Sequence, residues 1–420
     1  MATVLICCDK FKGSATSAEV SAALSRGLES AGHAVLIAPL ADGGDGTLEA
    51  FDSLGFQRIT STITNFNDGS TMPAQFSLKD GTAVIEIARA CGLDLASPQG
   101  TCPSATFARS TSSRGVGELI LASLDQGARR IIIGLGGSAT TDAGFGMAQA
   151  LEIQFYDAQG HSIMQVNDLG QVACIDSSHL DPRIATTEFV IASDVSNPLC
   201  GPNGAAAVYG PQKGLRNTDI NEVNEGIRKF ANILENELGL SGTSSVPGAG
   251  AAGGLGFMAM ALLSAEMQSG VHLVLDEIGG EDMLAQADLL ITGEGRIDHQ
   301  TLSGKAPAGI AELARNQKVP IPVIAVCGQN QLESSAAGDL FDAIYSLTEF
   351  EEDIASCIST PLPILERIGF EIAVKHLDRS SHCSLTDPGL HWGHEEHQRS
   401  PWPSDLPFYP RASSYCRIRA

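Results

Sequence analysis

Carboxylates, lysines and glycines recur in this chain wherever a short apolar run stops. Val4–Cys8 leads into Asp9-Lys10-Phe11-Lys12-Gly13-Ser14, and Val35–Leu40 into Asp42-Gly43-Gly44-Asp45-Gly46-Thr47. Ile131–Ile133 leads into a glycine loop ending Gly136-Gly137-Ser138-Ala139-Thr140-Thr141-Asp142, and Phe189–Ala192 into Ser193-Asp194-Val195-Ser196-Asn197-Pro198. Leu289–Ile291 runs into Thr292-Gly293-Glu294-Gly295-Arg296-Ile297-Asp298, and Val323–Val326 into Cys327-Gly328-Gln329. Such runs read as strands buried on both faces, and open α/β sheets bind ligands beyond the carboxyl ends of their strands. Six polar strand ends of this composition describe an enzyme active site.

Each motif also has an ordinary structural explanation. Asp42 and Asp45 with the Thr47 hydroxyl suit Mg²⁺, which is held by one or two carboxylates plus phosphate oxygens; alone, the segment would be a turn with Thr47 capping a helix. Glu294, Arg296 and Asp298 form either a second turn or an acid pair with an Arg fork for a charged ligand. Gly136–Asp142 resembles an anion nest of converging N–H groups. Asp194 stands at a strand end beside Asn197-Pro198, the position of a general base or of a turn aspartate. Lys12 and Lys213 are cations on glycine loops in a chain poor in them.

Gly248-Ala249-Gly250-Ala251-Ala252-Gly253 matches the dinucleotide fingerprint by letter, but Ser241–Pro247 precedes it where a strand is needed. Its glycines still lie directly before a helix at Leu255, where bare N–H groups bind phosphate or carboxylate. Walker A fails: Gly304-Lys305 is followed by Ala306, and His299 stands where the first glycine belongs. Anion nests, lysines, metal-binding carboxylates and a poised base point together to phosphoryl transfer.

A formal net charge of −23 and a pI near 4.7 exclude a nucleic-acid partner and an anionic membrane surface. The 420 residues are 43% hydrophobic and 18% charged, which suits two or three globular domains. Ten scattered cysteines without metal-ligand spacing fit a reducing compartment. With a strand at the start and no charged n-region, the expected location is the cytoplasm.

The elements that must position these residues alternate. Thr16 and Glu19 have capping-box spacing ahead of Val20, Ala23, Leu24, Gly27 and Leu28 on one helical face. Helical periodicity returns over 116–126, 220–240, 255–267, 305–316 and 364–377, predicting α/β with largely parallel sheets. Stretches near 60–90 and 150–190 instead alternate as short strands, with turns at Asn67-Asp68-Gly69, Asp80-Gly81 and Asp157–Gly160. A central domain inserted into an outer doubly wound one is therefore expected, with the active site in the cleft between them. The expected division is 1–92 with 287–377 for the outer domain and 93–286 for the inserted one. Residues 378–420, with both Trp and four of the ten His, read as an atypical, disordered tail. A metal-binding His tract or a shifted reading frame would give the same composition.

Taken together, these strings resemble the glycerate kinase type I family. The resemblance rests on Asp9–Ser14, Ala41–Thr47, Gly136–Thr140, Ser193–Leu199 with Gly210-Pro211-Gln212-Lys213-Gly214, Pro247–Leu255, and Thr292–Arg296 with Asp298, Gln300-Thr301 and Gly304-Lys305. It covers residues 1 to about 377; Lys10, where the family commonly has Ser, and the tail depart from it. The resemblance implies ATP- and Mg²⁺-dependent phosphorylation of D-glycerate, usually on the 2-hydroxyl, and a flavodoxin-like outer domain. The alternatives are 3-phosphoglycerate as product, or a non-catalytic small-acid sensor. Asp194 and Lys12 are the expected catalytic residues, and Asp45, Glu294 and Asp298 the expected metal ligands. Substrate or phosphate contacts are expected at Ser14, Gly137, Ser138, Thr140, Asp142, Asn197, Lys213, Gly250, Gly253, Gly254, Arg296 and Lys305. A homo-oligomer is left open.

Overall fold

The computed structural model describes residues 1–41, 43–96, 103–299, 301–303, 306–332 and 340–378. In chain order its strands are β1 (Thr3–Cys8), β2 (Ala34–Ile37), β3 (Gln57–Thr64), β4 (Thr71–Lys79), β5 (Thr82–Glu86), β6 (Arg130–Gly134) and β7 (Gln154–Tyr156). They continue as β8 (Cys174–Asp176), β9 (Glu188–Ala192), β10 (Glu266–Gln268), β11 (Leu289–Ile297), β12 (Val323–Asn330) and β13 (Ala343–Ser346).

One sheet has the order β13-β12-β11-β1-β2, with every pairing parallel. Counting only its own strands, that is 2-1-3-4-5, the flavodoxin-like doubly wound order. Residues alternate between its two faces. Val4, Ile6 and Cys8 pack with the helices Ser17–Ser30 and Pro361–Ile372, whereas Leu5 and Cys7 pack with Ala306–Arg315 on the other side.

The capping box forms as the spacing predicts: Glu19 N donates to Thr16 Oγ1 at 3.2 Å, and Thr16 N to the Glu19 carboxylate at 2.9 Å. That helix buries Val20, Leu24 and Leu28. It crosses Pro361–Ile372 where Gly27 and Gly369 meet backbone; a Cβ on either would collide with a carbonyl of the other helix. Truncating Leu24 to Ala in this packed layer would cost about 2–5 kcal/mol.

The second sheet has the order β10-β9-β6-β5-β4-β3. Its β10, β9, β6 and β5 pairings are parallel, while β5-β4-β3 form antiparallel hairpins turning at the predicted Asp80-Gly81 and Asn67–Gly69. Between residues 150 and 190 the expected strands reduce to the small β7–β8 pair and two short 3-10 helices.

The change of sheet lies upstream of the expected 92/93 switch, because β3, β4 and β5 already belong to the second sheet. The hydrophobic pattern of β3–β5 identifies strands but says nothing of the sheet they join. The return is also earlier than residue 287. The helix Gly270–Ile278 is shared: Val271 and Leu275 pack under the first sheet with Leu5 and Leu290, while Leu273 and Val274 pack under the second with Val84, Ile132 and Val190. Cys7, Cys8, Cys91, Cys327 and Cys357 are free, buried thiols. The segment 379–420, read as a tail, lies outside the described residues. Among the described residues no helix is long and apolar enough to cross a membrane.

Candidate active site

The loops beyond the carboxyl ends of both sheets meet. Asp9 N donates to Gly293 O at 2.8 Å, tying the loop after β1 to β11. Gly295 approaches the same loop so closely that an added Cβ would lie 3.2 Å from Lys12 N. From the other side the Gly43–Gly46 turn reaches the second sheet. Gly136 N donates to Gly43 O at 3.0 Å, and a Cβ at Gly43, which has φ +82°, would collide with the Ala192 carbonyl. Only glycine serves there, on both backbone and steric grounds. The chain beyond the ends of β1, β2, β6, β9 and β11 is thus drawn together, and the segments expected to carry Lys12, Asp45, Gly137, Asp194 and Glu294 belong to it.

Asp45 is exposed on the rim and paired with Lys10, whose Nζ lies 3.3 Å from its carboxylate and also donates to the Asp45 carbonyl. Lys12 is exposed and lies 3.7 Å from the Asp94 carboxylate of the opposite wall. Ser14 is not aimed at the cleft: its Oγ donates to Ile358 O at 2.7 Å, bracing the helix Ile354–Ser359. The Thr47 hydroxyl is buried and donates to Gly44 O at 2.6 Å; the residue preceding the helix is Gly46, in a left-handed conformation.

Thr292–Ile297 was expected as a turn and is instead strand. β11 continues through Ile297, paired residue by residue with β12, with Glu294 opposite Cys327 and Arg296 opposite Gln329. Gly293 permits this, since a Cβ there would collide with the Val326 carbonyl. Glu294 and Asp298 are joined through Thr301, whose Oγ1 donates to Glu294 Oε1 at 2.7 Å and accepts from Asp298 N at 3.0 Å. Arg296 Nε stands 3.2 Å from Asp298 Oδ2. Among the described residues no three His, Cys, Asp or Glu side chains form a group that could hold a metal ion. Asp45, Glu294 and Asp298 are thus not a closed three-carboxylate site, although Mg²⁺ ordinarily takes one or two carboxylates and completes its shell with phosphate and water.

In the loop after β6 only the tip, Gly136 and Gly137, reaches solvent; Ser138 to Asp142 are buried. Lys213, 2% exposed, donates from Nζ to Ser138 Oγ at 2.8 Å and to Thr140 O at 2.6 Å. Burial pulls its pKa down to about 8, against the opposing influence of Cys91 and Asp142. Lys213 thus binds the Ser138 hydroxyl and the Thr140 carbonyl, while the buried Thr140 hydroxyl has no hydrogen-bond partner. Asp142 is fully buried and accepts from Ser113 N and Oγ and from Gly144 N and Gly146 N at 2.7–3.1 Å. Burial raises its pKa in spite of those bonds. It holds two loops together, with both carboxylate oxygens accepting hydrogen bonds from the protein itself.

Asn197 is likewise engaged: its Nδ2 donates to Asn203 O at 2.9 Å and its Oδ1 accepts from Tyr209 at 2.7 Å. Gly250, Gly253 and Gly254 are buried against the backbone of Pro198, Thr140 and Ala143. Their close packing is what requires glycine. Asp194, by contrast, is exposed immediately beyond β9. Lys305, with Asp42, Gln300 and Gly304, lies outside the described residues.

Two residues went unmarked in the sequence. Glu86 ends β5 with 0% exposure; one oxygen accepts from Leu48 N at 3.1 Å, and the other lies 3.3 Å from Arg89 Nε. Burial raises its pKa, and the nearby Glu49 and Asp45 carboxylates add to the shift. Arg89 donates to Glu49 at 2.7 Å and feels Asp45 as well, so it is a further cation beside the rim. The signal was present: Ala83–Ile85 running into Glu86 is one more apolar run ending in a carboxylate.

Comparison with known proteins agrees with this architecture. Residues 4–376 match the model of the glycerate kinase family. A glycerate kinase of Halalkalibacterium halodurans is 39% identical over 89% of this chain and 98% of its own length. A glycerate 2-kinase of Escherichia coli K12 is 40% identical over 77% of this chain and 84% of its own. The crystal structure of a Salmonella typhimurium LT2 protein described as a glycerate kinase 2 superposes with a TM-score of 0.74 at 35% identity, covering 89% of this chain and 97% of that one. With the two-sheet cleft, the order of its loops and a match over nearly the whole described chain, this protein belongs to the glycerate kinase family, a family of phosphotransferases acting on an alcohol.

Proposed function

We propose that the chain transfers the terminal phosphoryl group of ATP to the 2-hydroxyl of D-glycerate, giving 2-phospho-D-glycerate and ADP. The observation that carries this reading is the meeting of Lys12, on the loop after β1, and Arg296, at the end of β11, with the loops that carry the exposed Asp194 and the open Gly136-Gly137 tip. Cations on one wall neutralise phosphate, and a carboxylate on the other orients and deprotonates the attacking hydroxyl. The choice of the 2-hydroxyl is supported by the name of the Escherichia coli relative, glycerate 2-kinase.

Mg²⁺ is part of the proposal. Glu294 and Asp298, brought together by Thr301, would supply its protein ligands with Asp45 on the facing rim. Bound there, the ion would neutralise charge on the transferred phosphoryl group. Lys12 and Arg296 would hold the phosphates, and Asp194 would take the hydroxyl proton.

The test is ADP release with D-glycerate, set beside L-glycerate, glycolate and no acid, with and without Mg²⁺. Release only when D-glycerate and Mg²⁺ are both present supports the reading, and phosphorus NMR of the product assigns the position. Turnover with another acid and none with glycerate overturns the substrate; a 3-phosphate product overturns the regiochemistry.

A further inference from the structure

One cavity of the molecule has no use for glycerate. It lies at the carboxyl end of the five-stranded sheet, where the strand order reverses between β1 and β11, and opens to solvent. Its floor is Phe11, 2% exposed, with the backbone of Gly295 and Gly328. The two glycines approach each other closely: a Cβ on Gly328 would sit 2.6 Å from the Gly295 carbonyl. The far wall is Leu347, Ile354, Cys357 and Ile358. Lys12 and Arg296 stand among its lining residues, and Gln329 and Thr348 add polar groups.

We propose that this cavity binds the adenine ring of the phosphoryl donor. The inference rests on the reading of the chain as an ATP-dependent kinase and assigns the base subsite within it. Glycerate is a three-carbon acid with two hydroxyls and has no apolar face to bury. Adenine is a flat ring with two apolar faces and a polar edge, which suits an aliphatic wall, an aromatic floor and a few polar groups. The topology agrees, since ligands of doubly wound sheets sit at the reversal of strand order. The charges agree too: a triphosphate leaving the cavity passes Lys12 and Arg296 before it reaches Asp45 and Glu294. Ser14 is then a positioning residue. Its hydroxyl, 2.7 Å from Ile358 O, fixes the wall helix against the loop that carries Lys12.

The experiment measures ADP affinity by calorimetry, with no acid present, for the full chain and for Ile354→Trp, which fills the cavity. Inorganic tripolyphosphate is tested in parallel as a ligand with the charges of ATP and no base. Ile354→Trp is expected to weaken ADP by about tenfold or more while tripolyphosphate shifts by less than about twofold. Ile358→Ala trims an exposed part of the wall, with little risk to folding, and is expected to weaken ADP by about threefold with the same indifference to tripolyphosphate. If both folded variants bind ADP like the parent, or lose ADP and tripolyphosphate equally, the assignment is wrong. Because no acid is present, a failure of glycerate as substrate leaves this result standing. A kinase active on glycerate whose ADP affinity ignores both variants overturns the base subsite alone.

Discussion

Lys213 Nζ lies 2.8 Å from Ser138 Oγ with 2% of the residue exposed, so a lysine expected to meet phosphate instead ties down the glycine loop beyond β6. It places a cation in the interior with neutral hydrogen-bond partners, and its pKa near 8 is the mark of that cost.

A pH dependence follows. In the unfolded chain the lysine titrates near 10.5, and in the folded protein near 8, so between these values the unfolded chain binds more protons. Stability must then rise with pH across this window; the penalty is complete below about pH 8 and gone above about 10.5. Lys213→Met removes the titration. Urea unfolding at steps from pH 7.5 to 10.5 should show the wild type gaining stability relative to the variant. Parallel curves would mean that Lys213 titrates in the folded protein as it does in the unfolded chain.

Asp194 is the exposed carboxylate beyond β9, and Asp142 is closed off by four hydrogen bonds. Asp194→Asn should therefore lower turnover by roughly 10²–10⁴, the range for loss of a positioned base, while ATP affinity stays within a few-fold. Initial rates at saturating Mg²⁺ check this. Recovery of turnover at high Mg²⁺ would instead make Asp194 a metal ligand.

Lys10 occupies the carboxylate of Asp45 across the rim, at a position where the resemblance leads one to expect serine. The pair is partly exposed, 25% at Lys10 and 47% at Asp45, so its net contribution to stability is about 0.2–1 kcal/mol. Lys10→Ser should move the melting temperature little and, by releasing Asp45, lower the Mg²⁺ concentration for half-maximal rate by about two- to tenfold. Titration of the rate with Mg²⁺ decides it; an unchanged midpoint would remove Asp45 from the metal site.

What was legible in the sequence was local. Thr16 and Glu19 announce their helix because the capping box closes within four residues. The six strand ends announce a cleft because β-periodicity and glycine are written in consecutive letters. The flavodoxin-like order was reached through the resemblance, since pairing across more than two hundred residues leaves no local mark. Roles within the cleft were not legible either. Asp142 and Asp194 look alike as letters, and only burial and the donors of Ser113, Gly144 and Gly146 separate them. Glu294 was misplaced onto a turn because glycines on both sides of it signal a loop, whereas here they let β12 and the β1 loop approach a continuous strand. The wall of the apolar cavity comes from Ile354–Ile358, far along the chain in a helix that carries no motif.

The helix Gly270–Ile278, apolar toward both sheets at once, sets how the cleft must work. A free linker would let the two halves swing; a helix gripped on opposite sides transmits displacement like a rack between two gears. Closing over a substrate then means sliding packed side chains past one another in small steps, a shear motion. Substrate size would be gauged by the same interface that holds the sheets together.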